Sequence, residues 1–250
     1  MKKICVLLTA ALLAAAPVWA ADHHHAHWSY SGKTGAKHWG AMEEGFKTCA
    51  IGKAQSPINI VAKQAEKGGL KPLELAYASS AGEIVNNGHT IQVNLANAGS
   101  LTLDGAAYRL LQFHFHSPSE EQINGKHFPL VAHFVHKSEA GQLAVVGVLF
   151  KVGKENAALK EVFANLPAKE GDKQALTANL DPAAVLPENR AYYGFMGSLT
   201  TPPCSEEMRW HVLKTPVEVS KAQLKAFTKL YKMNARPVQP LHGRKVQVSE

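Results

Sequence analysis

The chain has 250 residues, 46% of them apolar, which is ample for a buried core. Its 27 Lys and Arg outnumber 20 Asp and Glu, for a formal charge of +7. The cations are scattered, however, and no basic run interleaves with aromatics, which argues against a nucleic-acid surface and for a solvated basic exterior.

Residues 1–20, "MKKICVLLTAALLAAAPVWA", begin with Lys2 and Lys3, continue through an apolar stretch from Ile4 to Ala16 and end in a small-residue cleavage pattern. This reads as a secretory signal peptide, its apolar part being too short for a membrane span, rather than as an anchoring helix. No later stretch approaches membrane-spanning length, so the expected product is soluble and exported, with the periplasm as the expected destination. Cleavage after Ala20 removes two lysines and lowers the charge to +5 over residues 21–250. No internal repeat or long Gly/Ser/Pro linker divides that span, which favours one domain. The stretch "DHHHAH" (22–27) binds divalent ions readily but offers no fixed geometry, so it is expected to be a flexible tail and not the metal site.

Beyond the tail, residues 22–60 are rich in Pro, Gly and polar groups and are expected to wrap the core as loops. Strands are predicted at "TIQVNL" (90–95), "LQFHFH" (111–116), "LVAHFVH" (130–136), "LAVVGVLFKV" (143–152) and "RWHVL" (209–213). "INGKHF" reads as a hairpin turn, which makes the two His-bearing strands antiparallel neighbours. One helix is predicted near 155–166, with Leu159, Val162, Phe163 and Leu166 on one face. A second starts at Ser220, where "SKAQ" resembles a capping box, with Leu224, Phe227 and Tyr231 on one face. Residues 232–250 again read as loop. Once Cys5 leaves with the leader, Cys49 and Cys204 remain. They form either one structural disulfide across a very long loop or two free thiols, and an oxidising compartment favours the bridge.

Side chains alternate across a strand, so His114 and His116 share one face while Phe113 and Phe115 share the other. His133, on an antiparallel neighbour, can join the two imidazoles, whereas His136 faces the opposite side. His38, His127, His136, His211 and His242 read as ordinary surface or hydrogen-bonded histidines. Three neutral imidazoles suit zinc, with the fourth tetrahedral position left to water as in catalytic sites; no cysteine is at hand to close it.

The motifs "QSPINI" (55–60), "NNGHTIQV" (86–93), "QFHFHSPSE" (112–120), "AHFVH" (132–136), "GSLTTPPCSE" (197–206), "RW" (209–210) and "QPLHGR" (239–244) occur in the order seen in α-class carbonic anhydrases. The chain resembles that family from about His27 to Arg244, and its bacterial exported branch in particular. The resemblance implies a mainly β (α+β) single domain over 21–250, built on a large, twisted, mainly antiparallel sheet with a few peripheral helices. It implies a zinc enzyme, one Zn2+ per chain, that reversibly hydrates carbon dioxide to bicarbonate and a proton. His114, His116 and His133 match the zinc ligands. Thr200 matches the hydroxyl that accepts from the zinc-bound group and gives its own proton to Glu120. His89 matches the proton shuttle, with Tyr30, Asn87 and Thr201 supporting the water chain to it. Val135, Val145, Leu199 and Trp210 match the apolar wall beside the substrate, with Thr201 at its edge, and Gln112 matches a partner holding His114. Sulfonamides and small anions are the inhibitors the family implies, and a homodimer is compatible with it.

Three departures stand out. Family members commonly have a glutamate two residues before the third ligand, where this chain has Val131, and a histidine after the buried glutamate, where it has Glu121. Those family positions are neighbours in space, so Glu121 is expected to serve His133 in place of the missing carboxylate. Phe195 also replaces a common tyrosine. The main alternative is a catalytically silent zinc-binding or interaction module on the same fold. Silent relatives typically lack a ligand histidine, and here all three remain. A zinc hydrolase of another kind fits poorly, because no further acid or base is placed for peptide cleavage.

Overall fold

The computed structural model describes residues 27–250; the expected leader and residues 22–26 of the His-rich stretch lie outside the described residues. A 13-stranded sheet forms the frame, and a three-stranded sheet sits apart from it. Across the middle of the frame the spatial order is Gly82–Asn86, Ile91–Leu95, Ala106–His116, Leu130–Ser138, Leu143–Val152, Met208–Leu213 and Tyr192–Gly197. Most neighbours run antiparallel, as expected. Leu143–Val152 is the main exception, pairing in parallel with both Met208–Leu213 and Val217–Val219; at one edge the short Gln247–Val248 and Glu66–Lys67 also pair in parallel. A parallel pair needs a crossover, and the chain supplies one through the long segment after Val152, which touches the far edge of the sheet at Lys173–Ala175 before Tyr192–Gly197 and Met208–Leu213. Leu143–Val152 is buried without a break from Ala144 to Phe150, which suits its central place. Ile91–Leu95 alternates buried and half-buried residues, the pattern of a strand with one covered face.

Two hairpins owe their shape to two-residue turns. Asp104-Gly105 joins Gly99–Leu103 to Ala106–His116, and Asn124-Gly125 joins Gln122–Ile123 to Lys126–His127. All four turn residues have positive φ, from 51° to 81°, the conformation that tight hairpins require and Asn, Asp and Gly tolerate. The second hairpin belongs to the small sheet, with Asn59–Ile60 as its third strand. The turn expected between the two His-bearing strands is therefore present but carries a hairpin of its own, and the two long strands pair antiparallel beneath it.

The helix expected from Ser220 runs from Lys221 to Leu230. Ser220 Oγ accepts from the Gln223 N–H at 3.1 Å, and the Gln223 side chain accepts from the Ser220 N–H at 3.1 Å. Its Phe227 is buried against Phe115, and Tyr231 sits just past its end. The helix expected over 155–166 is shorter, Lys160–Ala164. Its first part is held otherwise: Gln223 bonds both the N–H and the carbonyl of Asn156 at 2.8 Å, and the Asn156 side chain takes the Leu159 N–H. Leu159, Val162 and Phe163 are nonetheless buried as the pattern required. The segments expected as loops hold only short pieces, among them Trp39–Met42, Thr48–Ile51 and Gln247–Val248.

The sheet separates two apolar clusters. The larger contains Phe113, Phe115, Phe134, Phe150, Phe163 and Phe227. Phe113 stacks on Phe134 at 4.8 Å between centroids, a pairing that adds about 1 kcal/mol to the burial of the rings. The phenyl face predicted for the first His-bearing strand is thus the floor of the core. The smaller cluster holds Ile58, Ile60, Val131, Val145, Leu149, Phe195 and Trp210, and it backs the face that carries the imidazoles. Cys49 and Cys204 form a disulfide across 155 residues.

Candidate metal centre

The antiparallel register places His133 directly opposite His114, and Val131 opposite His116. Cross-strand partners point to the same face, so the three imidazoles meet, with ring centroids 4.8 to 5.5 Å apart. One nitrogen of each ring is already committed. His114 Nδ1–H donates to Gln112 Oε1 at 2.9 Å, His116 Nδ1–H to the Asn234 carbonyl at 2.7 Å, and His133 Nε2–H to Glu121 Oε2 at 3.2 Å. These acceptors set the tautomers and leave His114 Nε2, His116 Nε2 and His133 Nδ1 with lone pairs. One such nitrogen per residue lies within 4.8 Å of the others. Among the described residues, no other group of three or more His, Cys, Asp or Glu side chains is placed to hold a metal ion.

Electrostatics keep two of the rings neutral, as metal ligation requires. Burial, then the charge of its neighbours His133 and His114, pushes His116 well below the usual histidine range, and burial and His133 do the same to His114. His133 differs. Burial alone would lower it, but the Glu121 carboxylate, with Glu120 behind it, holds it above the ordinary value. His116 Nε2 is buried with no hydrogen-bond partner, 3.5 Å from Glu120 Oε2. An orphaned ring nitrogen aimed at two others is costly unless something fills the space between them. Three imidazole nitrogens without a fourth protein ligand fit zinc in its open, catalytic form.

Glu120 is fully buried, and burial raises its carboxyl to about 7. His133 opposes that rise and Glu121 adds to it; the Thr200 hydroxyl and the Arg236 backbone N–H, the latter at 2.7 Å, also pull it down. Thr200 lies in the loop after Tyr192–Gly197, which is tied down on both sides. Ser56 and Ser198 exchange N–H to Oγ bonds at 2.9 and 3.1 Å, and Leu199 N–H donates to the Ser205 carbonyl. Cys204 in that loop is bridged to Cys49, and Gln55 Nε2 donates to its carbonyl at 3.0 Å. Thr201 contributes a backbone carbonyl that accepts from the Cys204 N–H.

Val145 and Trp210 are buried beside the triad, and Val135 and Leu199 pack against the same cluster half-exposed. The Trp210 ring meets His133 edge-on at 4.9 Å. Phe195, in the place of a common family tyrosine, stacks on Trp210 at 6.0 Å. His89 sits on the turn after Gly82–Asn86, where Asn87 Oδ1 accepts from the His89 and Thr90 N–H groups. The structure therefore uses the Asn87 side chain to build the turn that presents His89. That imidazole lies flat on Trp28, 3.6 Å between centroids and 7° between planes. Burial and the nearby His27 lower His89, and Glu170 works against them. Tyr30 lies edge-on to His116, its hydroxyl buried without a partner.

Three contributors escaped sequence reasoning: Asn234, whose carbonyl fixes His116; Arg236, which binds Glu120; and Trp28, the platform under His89. The only signal for the first two was a polar pair in "NARP" (234–237), inside a stretch read as loop. His127, His136 and His211 are hydrogen-bonded to backbone or neighbouring side chains, as their ordinary reading required.

Rigid strands that converge three imidazoles, each oriented by its own acceptor, define a candidate metal site. The chain matches the family model described as eukaryotic-type carbonic anhydrase over residues 34–250. It is 45% identical over 219 residues to a carbonic anhydrase of Pectobacterium carotovorum, a match covering 87% of this chain and 89% of that one. Against a carbonic anhydrase of Neisseria gonorrhoeae it is 44% identical over 243 residues, covering 96% and 95% of the two chains. The structure of the α-carbonic anhydrase from Thermovibrio ammonificans in complex with sulfanilamide matches with a TM-score of 0.87 and 51% identity, over 90% of this chain and all of that one. The chain belongs to the α-type carbonic anhydrase family of enzymes.

Proposed function

We propose that the protein reversibly hydrates carbon dioxide to bicarbonate and a proton, with one Zn2+ held by His114 Nε2, His116 Nε2 and His133 Nδ1. The observation that carries this reading is the convergence of those three nitrogens while each opposite nitrogen is occupied by its own acceptor. Held by these nitrogens, zinc would act as a Lewis acid and make a nucleophile available at neutral pH. The chain does the rest. Thr200 gives its proton to Glu120, so its oxygen can only accept; it orients the nucleophile and rejects groups with no proton to offer. Arg236 holds Glu120 in place from the other side. Val135, Val145, Leu199 and Trp210 present an apolar wall to a substrate without a net dipole, and Thr201 stands at its edge.

Each turnover releases a proton, and His89 is the group assigned to carry it to solvent. The ring lies on Trp28 beside the exposed His27, partly open to solvent, and a histidine titrates in the range the task needs. Tyr30 and Asn87 border that route. Export to the periplasm is the destination that residues 1–20 support, and the Cys49–Cys204 bridge suits an oxidising compartment. Sulfonamides, of which sulfanilamide is bound in the Thermovibrio relative, and small anions are the expected inhibitors.

Stopped-flow measurement of carbon dioxide hydration, on protein assayed for zinc, tests the reading. Fast hydration that is lost in His133→Ala and kept in a variant lacking residues 22–26 supports it. Zinc-loaded protein with no hydration overturns it in favour of a silent binding module.

A further inference from the structure

The nitrogen of His133 that faces away from the other imidazoles has two possible suppliers of a carboxylate, and this chain uses the unexpected one. Residue 131 precedes His133 by two on the same strand, so its side chain lies on the same face of the sheet. In this chain it is Val131, wholly buried beside Ile58, Ile60 and Leu149 in the smaller apolar cluster. Glu121 arrives from the loop that follows Ala106–His116. Its backbone is pinned before its side chain is considered: Ser119 Oγ donates to the Glu121 carbonyl at 2.7 Å, the Ser119 N–H donates to the Phe128 carbonyl, and the next residue, Gln122, donates to the Ile58 carbonyl. The carboxylate is wholly buried, with both oxygens 3.2 Å from His133 Nε2. Oε1 has no other partner.

We propose that Glu121 is the positioning residue that turns His133 Nδ1 toward the metal, and that Val131 is its required apolar complement: an acid can stand at 121 or at 131, but not at both. The reason is a count of donors. His133 Nε2 carries one proton, which Glu121 accepts. A second carboxylate at 131 would lie among Ile58, Ile60 and Leu149 with no donor of its own, and a buried unpaired carboxylate is strongly disfavoured. The exchange also changes which part of the fold supports the metal. The supporting acid now belongs to the same loop as Glu120, whose Oε2 is 3.8 Å from His133 Nδ1, so one loop brackets both nitrogens of the ring. This inference rests on the metal-binding reading of the triad.

The test is the rate of zinc release from the loaded protein into excess dipicolinate, compared for the unmodified chain, Glu121→Ala, Glu121→Gln, Val131→Glu and Glu121→Ala/Val131→Glu. Loss of such a partner weakens metal binding by about 10–100-fold, so Glu121→Ala is expected to release zinc faster by that order. Val131→Glu also releases faster, while Glu121→Gln, which keeps an acceptor oxygen, stays nearest the unmodified chain. The decisive outcome is the double variant, expected to hold zinc better than either single change. Unchanged release in Glu121→Ala, or a double variant no better than the worse single one, overturns the proposal. Thermal melting of the metal-free variants separates a lost fold from a lost partner. Should the unmodified chain bind no zinc, the metal reading is what fails. The His133 Nε2–H proton resonance of the metal-free protein then decides the pair alone: present in the unmodified chain and lost in Glu121→Ala, or unaffected and the pair refuted.

Discussion

Lowering the pH from 7.5 to 5 is expected to cost the protein about 4 kcal/mol of stability through two histidines outside the metal centre. His136 is fully buried; its Nδ1–H donates to the Ala144 carbonyl and its Nε2 accepts from the Tyr77 hydroxyl at 2.7 Å. Burial, with His211 adding to it, pushes its pKa down to about 3 against the pull of two backbone carbonyls. His211 is buried against Tyr192, and burial, with Arg209 nearby, lowers it to about 4. In the unfolded chain both titrate near 6.5. The folded values lie below the unfolded ones, so from about pH 6.5 down to 3–4 the unfolded chain binds protons that the native state refuses. The contribution is complete above 6.5 and is lost as the pH falls. At pH 5 each histidine has lost about 2 kcal/mol, and together they lower the melting temperature by about 8–16 °C for a chain of this size. Thermal melts between pH 7.5 and 5 on the unmodified protein, His136→Gln and His211→Gln measure the effect as a difference in slope. Each variant is expected to remove about 2 kcal/mol of the fall in stability between pH 7.5 and 5. Curves that run parallel across the range refute the argument, whatever the absolute stabilities.

Arg236→Met strips hydrogen bonds from the buried Ser56 carbonyl and the partly buried Cys49 carbonyl and removes a cation lying 5.6 Å from Trp39. Denaturant titration is expected to show a loss of about 3 kcal/mol, with Arg236→Lys recovering only part of it because the fork cannot be replaced. Removing the bridge in Cys49→Ala/Cys204→Ala frees a loop spanning 155 residues; the chain-entropy limit is about 5 kcal/mol, read in the same titration. Thr200→Val is expected to lower carbon dioxide hydration by about 10²-fold while Thr200→Ser retains most of it, and equal rates in the two would remove the hydroxyl from the mechanism.

The five predicted strands were legible because alternation and β-branched runs are local signals, and Leu143–Val152 was recovered at its full length, whereas Gly82–Asn86, Gly99–Leu103 and Tyr192–Gly197 went unread. The metal triad was legible for a related reason. A two-residue period fixes which imidazoles share a face, and an Asn-Gly turn implies that the next strand returns beside the first. What escaped is set by contacts distant in sequence. Residues 155–159 have a helical pattern, but Gln223 claims the Asn156 backbone and starts the helix late. Asn234 and Arg236 sit in irregular chain, where no periodicity marks a residue, and they reach His116 and Glu120 across 118 and 116 positions. The position of Glu121 was legible only as a replacement for what Val131 lacks. No pattern within residues 119–121 shows that Ser119 would pin the loop.

The two long-range bonds from residues 234 and 236 bear on when the centre can exist at all. His114, His116 and His133 are all made before either Asn234 or Arg236, so a chain still emerging holds the histidines without the carbonyl that fixes His116 or the N–H that holds Glu120. Metal capture is thereby deferred to the finished fold, and an incomplete chain competes poorly for the ion.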